Sequence, residues 1–447
     1  KLNKKTNTTS MELLIKATQL IFGLSILVGV HELGHMLTAK FFGMRVEKFS
    51  IGFPPKLFGF KKGETEYSVG AIPLGGFVKI SGMVDESLDT ESLKTEPQPW
   101  EFRSKPAWQR LIVMLGGVIV NVLVAFIINI GLLSTVGESD IKIEEFNKFG
   151  IVAHPIAQEI GLQTGDKIKA VNGKDIVYFS EVFDALLNDN SSITIVRNGE
   201  EKVVNIPSTL LDKLAEKDAA GFISPVSGYK VADVLKGGNA ADAGLIKGDS
   251  ILSINSVSVP YFHILKNELG NHKNEKVPVC ILRNNQIDTL NIQIDSSGMM
   301  GIQLESVRVM QAYTHQYSFI ESIPKGISNS IKVITDQIKA FSKIFKGELK
   351  ASNSVGSFLS IGNAYGGEWV WSHFWSLTAT LSMVLAFMNL LPIPALDGGH
   401  VMFLLYEIIS GRKPSDKFLE NAQKIGMLIL LSLMLFAISN DVIRNLF

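Results

Sequence analysis

Long apolar runs alternate with longer polar stretches, and four of the runs are candidates to cross a bilayer, which takes about 20 residues as a helix. The first covers about Met11 to Phe42 and the second, AWQRLIVMLGGVIVNVLVAFIINIGLLSTVG, covers Ala107 to Gly137. The third runs from about His373 to Pro394 and the last from about Ile425 to Asn440. Two shorter patterns lie between them. Residues 63–80, GETEYSVGAIPLGGFVKI, predict a β-hairpin with Pro73 and Gly75-Gly76 at or near its turn, and an unpaired strand edge there could hold a peptide in extended form. Residues 319–345 place Ile323, Ile327, Ile331, Ile334, Ile338, Phe341 and Phe345 three or four apart with Lys and Asp between, which predicts an amphipathic helix lying on the outer membrane face.

The long polar region contains a duplication. IAQEIGLQTGDKIKAVNGKDIVYF (156–179) lies over NAADAGLIKGDSILSINSVSVPYF (239–262) without a gap, Gly161 over Gly244 and Tyr178-Phe179 over Tyr261-Phe262. A module of about domain size repeated in tandem follows. Each copy reads as a short helix ending at Gly-Leu, a Gly-Asp turn and an alternating strand, KIKAVNG or SILSINS. Such small mixed folds expose a strand edge to which a peptide or chain end can add, or else serve as folded spacers.

Composition agrees with a membrane protein, at 46% hydrophobic and 19% charged. The 43 basic and 43 acidic residues cancel, and no basic patch interleaved with aromatics appears, so nucleic acid is not an expected partner. The single cysteine, Cys280, excludes an internal disulfide and any Cys-based zinc knuckle, which leaves His and carboxylate as metal ligands. Basic residues concentrate between runs one and two (Lys40, Arg45, Lys48, Lys56, Lys61, Lys62, Arg103, Lys105, Arg110) and between three and four (Arg412, Lys413, Lys417). Positive-inside placement therefore makes both loops cytoplasmic and the region from Glu138 to Ser372 external. Trp369, Trp371 and Trp375 at the outer end of run three read as an aromatic belt.

At the inner end of the first run stands His31-Glu32-Leu33-Gly34-His35. Two imidazoles four apart on a helix lie about 40° apart around its axis, so both can reach one ion, and Glu32 beside them can accept a proton from water activated by that ion. Three ionisable side chains at the end of a spanning helix are costly in lipid unless they face a protein interior and bind something. Runs one and three point the same way, so the inner end of run three falls at similar depth. It reads Asn389-Leu390-Leu391-Pro392-Ile393-Pro394-Ala395-Leu396-Asp397-Gly398-Gly399-His400, where two prolines and two glycines break the helix. Asp397 is a natural third ligand and His400 competes with it. The remaining histidines, His154, His263, His272, His315 and His373, fall on the outer side.

These features resemble the bacterial site-2 intramembrane zinc proteases: HELGH ending the first span, two tandem repeats between spans two and three, and N-L-L-P-I-P-A-L-D-G-G-H ending the third. The resemblance covers nearly the whole chain. It implies an α-helical polytopic membrane protein with four transmembrane helices, a membrane-associated β-hairpin and two extracytoplasmic PDZ-like mixed α/β domains. It also implies Zn2+ held by His31, His35 and Asp397, with Glu32 as catalytic base. Asn389 and the hairpin around Gly75, Gly76 and Phe77 are implied as the substrate-binding part. The expected substrate is a single-span membrane protein of the anti-sigma-factor type, trimmed beforehand and excluded until then by the PDZ-like pair, which has a possible peptide or chain-end ligand of its own. The expected location is the bacterial inner membrane, with the PDZ-like domains in the periplasm and the site near the cytoplasmic side. Two places depart from the family pattern: Gly116-Gly117 with Asn121 in span two, where Gly-Pro is common, and the segment Val355 to Ile361 before span three.

The expected division is an extension or tag at 1–10, span one at 11–42, the hairpin-bearing loop at 43–106 and span two at 107–137. PDZ-like domains follow at 138–225 and 226–308, then the amphipathic helix within 309–350, a linker at 351–372, span three with its motif at 373–400, a cytoplasmic segment at 401–424 and span four at 425–447. A membrane-anchored PDZ scaffold with a vestigial metal site is a competing reading. It predicts peptide binding without cleavage, and the intact HELGH argues against it. A metal transporter would need polar residues at several depths, whereas the ionisable groups cluster at one end.

Overall fold

The computed structural model describes residues 2–83, 96–216, 221–354 and 356–446. Lys1 of the N-terminal extension, residues 84–95 of the loop after span one, and Val355 lie outside them. The chain divides into two compact units, Ser139–Thr314 and the remainder.

Among the described residues of the larger unit, four helices are long and apolar enough to cross a membrane. They are α1 (Leu2–Phe41, with Ser10–Phe41 apolar enough to span), α2 (Ala107–Thr135), α5 (Trp371–Leu390) and α7 (Asp416–Leu446). The unit also contains β1 (Val46–Lys62), β2 (Thr65–Ile80), α3 (Phe319–Phe345), α4 (Phe358–Tyr365) and α6 (Asp397–Ser410). α1 and α2 cross backbone to backbone. A Cβ placed on Gly34 would come within 2.2 Å of the Gly116 carbonyl oxygen, so only glycine permits this approach. Met36, Ala39, Val46, Val78, Ile80, Val113, Met114, Val401 and Leu404 form one buried cluster that joins the ends of α1 and α2 to the sheet and to α6. α6 continues past the break after α5 into what the sequence suggested was a cytoplasmic segment. It is tied to α2 by an ion pair between Arg110 and Glu407.

The β element differs from the expected hairpin. Residues 63–80 do not turn at Pro73 and Gly75-Gly76; the turn is at residues 63–64, and the partner of β2 is β1, immediately upstream. Both strands bend, β1 around Pro54-Pro55 and β2 around residues 70–73, so that β1 is paired on both sides. Phe49 opposes Tyr67 and Val78, and Ser50 opposes Ser68 and Phe77. The ribbon becomes four short strands in the order 76–80, 46–51, 65–69, 58–62. Among the described residues no second strand pairs with 76–80, which is an open edge.

α3 also departs from expectation. It does not lie apart on an outer face but packs lengthwise against α2 and α5. Gly326 abuts Ile130 of α2, Ser330 Oγ accepts from Asn129 Nδ2 at 2.7 Å, and Phe341 meets Phe387 of α5 with ring centroids 5.6 Å apart. The buried face is Ser322, Gly326 and Ser330, a stripe of small residues four apart, while Ile323, Ile331, Ile338 and Phe345 point outward. Small residues let helices approach closely where lipid supplies no hydrophobic drive between them.

In the unit Ser139–Thr314 the two repeats adopt one plan. β3 (Lys167–Val171), β4 (Lys174–Asp175), β5 (Ser192–Arg197) and β6 (Glu200–Asn205) form a sheet in the order β4-β3-β5-β6. β7 (Ser250–Ile254), β8 (Val257–Ser258), β9 (Lys276–Arg283) and β10 (Gln286–Gln293) repeat it as β8-β7-β9-β10. Even the register shift recurs, between Ile168 and Ala170 and between Ile251 and Ser253. In each copy the Asp of the Gly-Asp turn is clamped by an Arg from the third strand of the sheet: Arg197 Nε to Asp166 at 2.7 Å and Arg283 Nε to Asp249 at 2.8 Å. The same arginines donate to the carbonyls of Gly161 and Gly244. Each copy has its own buried core, and Val226 and Met310 pack into the first, so the chain beyond the second copy returns to the first.

Candidate metal centre

His31 and His35 lie toward the C-terminal end of α1, both buried, and Asp397 is the first residue of α6. The break that precedes α6 is tight. A Cβ on Gly398 would lie 2.1 Å from the Leu391 carbonyl oxygen, and Ala395 sits at φ +86, so the chain doubles back and delivers Asp397 to the imidazoles. His31 Nε2 is 3.1 Å and His35 Nε2 3.3 Å from Asp397 Oδ2, and the two Nε2 atoms are 3.2 Å apart.

That triangle fits zinc. With bonds of about 2.0–2.1 Å, a tetrahedral ion sets its ligand atoms about 3.3 Å apart, leaving a fourth corner open. The electrostatics agree. Asp397 Oδ2 is buried without a hydrogen-bond donor, and three lone-pair-bearing atoms converging at buried positions repel one another unless a cation stands between them. Among the described residues these three are the group of His, Cys, Asp and Glu whose ligand atoms converge in this way. His400, one turn along α6, lines the same cavity but is not part of it. His154 contacts Ser224, His272 contacts Glu275 and His373 contacts the Ala364 carbonyl, and none of these is a member.

The surroundings fix the tautomers. His35 Nδ1 lies 2.8 Å from the Val113 carbonyl, so it carries the proton and leaves the Nε2 lone pair for an ion. His31 Nδ1 lies 3.2 Å from Asn121 Nδ2, while Asn121 Oδ1 is buried without a partner. Exchanging the two amide positions gives His31 Nδ1–H its acceptor and frees its Nε2. Ser382 of α5 donates to the Asn121 carbonyl at 2.8 Å and holds that turn of α2 in place. Gly117 makes room for both rings, since a Cβ there would lie 2.5 Å from His31 Cε1 and His35 Nε2. The sequence marked Gly117 and Asn121 only as a departure from the family pattern; their roles depend on which side of α2 meets the imidazoles.

A cavity of about 700 Å³ opens on this triangle. Half-buried Glu32, Asn389, Asp397 and the open edge at Gly75, Gly76 and Phe77 all line it. Asn389 Nδ2 is 3.1 Å from His31 Nε2. Gly76 packs onto Glu32, a Cβ there reaching 3.2 Å from Glu32 Cγ. Gln423 of α7, 3% exposed, also lines the cavity. A lone amide just ahead of an apolar run was the sequence signal for it, and sequence reasoning missed it.

Histidine, histidine and aspartate gathered beside a carboxylate, among helices of membrane-spanning composition, define a metal-dependent hydrolase set in a membrane bundle. The chain belongs to peptidase family M50, the site-2 protease family, whose model matches residues 19–433. It is 32% identical to a Vibrio cholerae protein described as a putative zinc metalloprotease, over 95% of this chain and 97% of that one. A Rickettsia conorii protein of the same description is 30% identical over 96% and 98%. A Haemophilus influenzae protein described as regulator of sigma E protease is 28% identical over 95% and 98%. The protein is thus a membrane zinc metalloprotease.

Proposed function

We propose that this protease cuts single-span membrane proteins within or near the bilayer, as the second cleavage of a regulated proteolytic cascade. The observation that carries the reading is that the His31–His35–Asp397 triangle, Glu32 and an unpaired strand edge share one cavity. A peptide bond in lipid is hard to hydrolyse because water is scarce and a helical amide is shielded by its own hydrogen bonds. Zinc, when bound, polarises a carbonyl and acidifies water. Glu32 then takes the proton and passes it to the leaving amine. The edge at 76–80 adds an unwound substrate segment as a further strand, with Asn389 donating to its backbone, so the scissile amide is held extended.

The Haemophilus relative's name favours a substrate of the anti-sigma-factor type and a stress-response role. On the charge distribution the metal site lies near the cytoplasmic face of a bacterial inner membrane. The repeats between residues 139 and 314 are then periplasmic PDZ-like domains that admit only trimmed substrates or take a peptide end. The test is Glu32→Gln in the intact protein, reconstituted with a membrane-embedded reporter. Zinc should be retained while cleavage falls about a hundred- to ten-thousandfold, the usual contribution of a general base. Undiminished cleavage would refute the mechanism.

A further inference from the structure

A second cavity, of about 570 Å³, lies where α1 ends and β1 and β2 begin. Lys40, Arg45 and Lys62 line it with Trp100, against one carboxylate, Glu64. The Lys105 ammonium stands at its rim, 3.8 Å from where a Cβ on Gly43 would sit. Lys40 Nζ donates to Tyr67 Oη at 3.0 Å. Among the described residues, Arg45, Lys62 and Lys105 have no carboxylate within ion-pair distance.

Cations flanking a spanning helix are ordinarily splayed into water, each solvated by itself. Here they surround one concavity at the level where α1 ends and α2 starts, which is headgroup depth for both spans. Beside it Phe41 is 83% and Trp108 52% exposed, rings that at this depth belong against acyl chains and glycerol. Cations gathered around one pocket with an apolar margin are the chemistry that holds an anionic phosphodiester.

We propose that this pocket binds the headgroup of an anionic phospholipid such as phosphatidylglycerol. A soluble phosphate would have no use for the exposed rings. The floor of the pocket is Val46 and Thr65, whose Oγ1 donates to the Val46 carbonyl at 2.9 Å. Val46 also pairs with Ile80 of the open edge, so a bound headgroup braces the sheet that lines the metal cavity. The inference rests on the membrane reading but not on the cleavage mechanism.

The intact protein in phosphatidylcholine nanodiscs, carrying Glu32→Gln so that nothing is cleaved, is titrated with phosphatidylglycerol and retention is read by native mass spectrometry. Phosphatidylglycerol should bind about tenfold or more tighter than added phosphatidylcholine, and less so at high salt. Arg45→Ala with Lys62→Ala should weaken it about thirtyfold, and Lys62→Glu alone should also weaken it clearly. Arg412→Ala, an exposed cation outside the pocket, should leave it unchanged. Equal retention of the two lipids, or undiminished binding in the double variant, overturns the proposal. Displacement by millimolar glycerol phosphate overturns the lipid assignment. Because no turnover is needed, failure here is separable from failure of the proposed cleavage.

Discussion

Gly117→Ala tests whether the α2 surface builds the metal site. The new Cβ would lie 2.5 Å from His31 Cε1, 2.5 Å from His35 Nε2 and 2.7 Å from His31 Nδ1, whereas ordinary contacts begin at 3.4 Å. Relief requires the rings or α2 to retreat by about 1 Å, against a coordination tolerance of about 0.2 Å. Neither ring can give easily, because Val113 holds His35 and Asn121 holds His31. Overpacking costs about 1–3 kcal/mol, while alanine returns about 1 kcal/mol of helix propensity, so the fold should survive with little net loss. The damage should appear in zinc affinity, lowered about ten- to a hundredfold or more, as when partners that orient metal ligands are lost. The assay is zinc competition with a chelator beside a thermal melt of the purified protein. Gly131→Ala, where an added Cβ meets nothing within 4 Å, is the control and should bind zinc normally. A Gly117→Ala protein that keeps zinc affinity within about threefold of the parent would refute this account of the site.

Asp397→Asn should lose both zinc and cleavage, whereas His400→Ala should retain zinc within about threefold, since only Asp397 lies within reach of both imidazoles; metal analysis of the two variants checks this, and the reverse result would reassign the third ligand. Gly76→Val should raise KM and lower kcat together on a membrane-embedded reporter while zinc is retained, because its Cβ would meet the Ser50 carbonyl at 2.7 Å and displace the strand edge, and would crowd Glu32 Cγ at 3.2 Å, without touching a metal ligand. In the unit Ser139–Thr314, the Arg283 hydrogen bond holds the Asp249 carboxyl below its usual value. Its stabilising effect is therefore complete above the unfolded value of about 3.9 and drains away as pH falls through the folded value. Asp249→Asn should cost about 1–3 kcal/mol at neutral pH and flatten the acid limb of stability, read by hydrogen exchange of the second repeat.

Much of this protein is legible along the chain because its signals are local or periodic. Span lengths, the i, i+4 pair His31 and His35, the break at Pro392 and Pro394, and the duplicated Gly-Asp turns each depend on residues near one another in sequence. Even the third ligand came within reach, since the charge distribution aligned the inner ends of spans one and three. What sequence left open was which of Asp397 and His400 closes the triangle, because a helix start presents both within one turn and only the doubled-back backbone at Ala395 selects between them. The hairpin turn was misplaced because Pro73 and Gly75-Gly76 carry turn chemistry. The real pairing reaches back to residues 46–62 and uses β1 twice, a choice made by bends where Gly52 and Gly70 touch. α3 was assigned by its isoleucines, the loudest pattern, whereas Ser322, Gly326 and Ser330 decide what it packs against. Hydrophobicity reports which face avoids water, and in a membrane that leaves lipid and protein undistinguished, so the partner of each helix is settled only by tertiary packing.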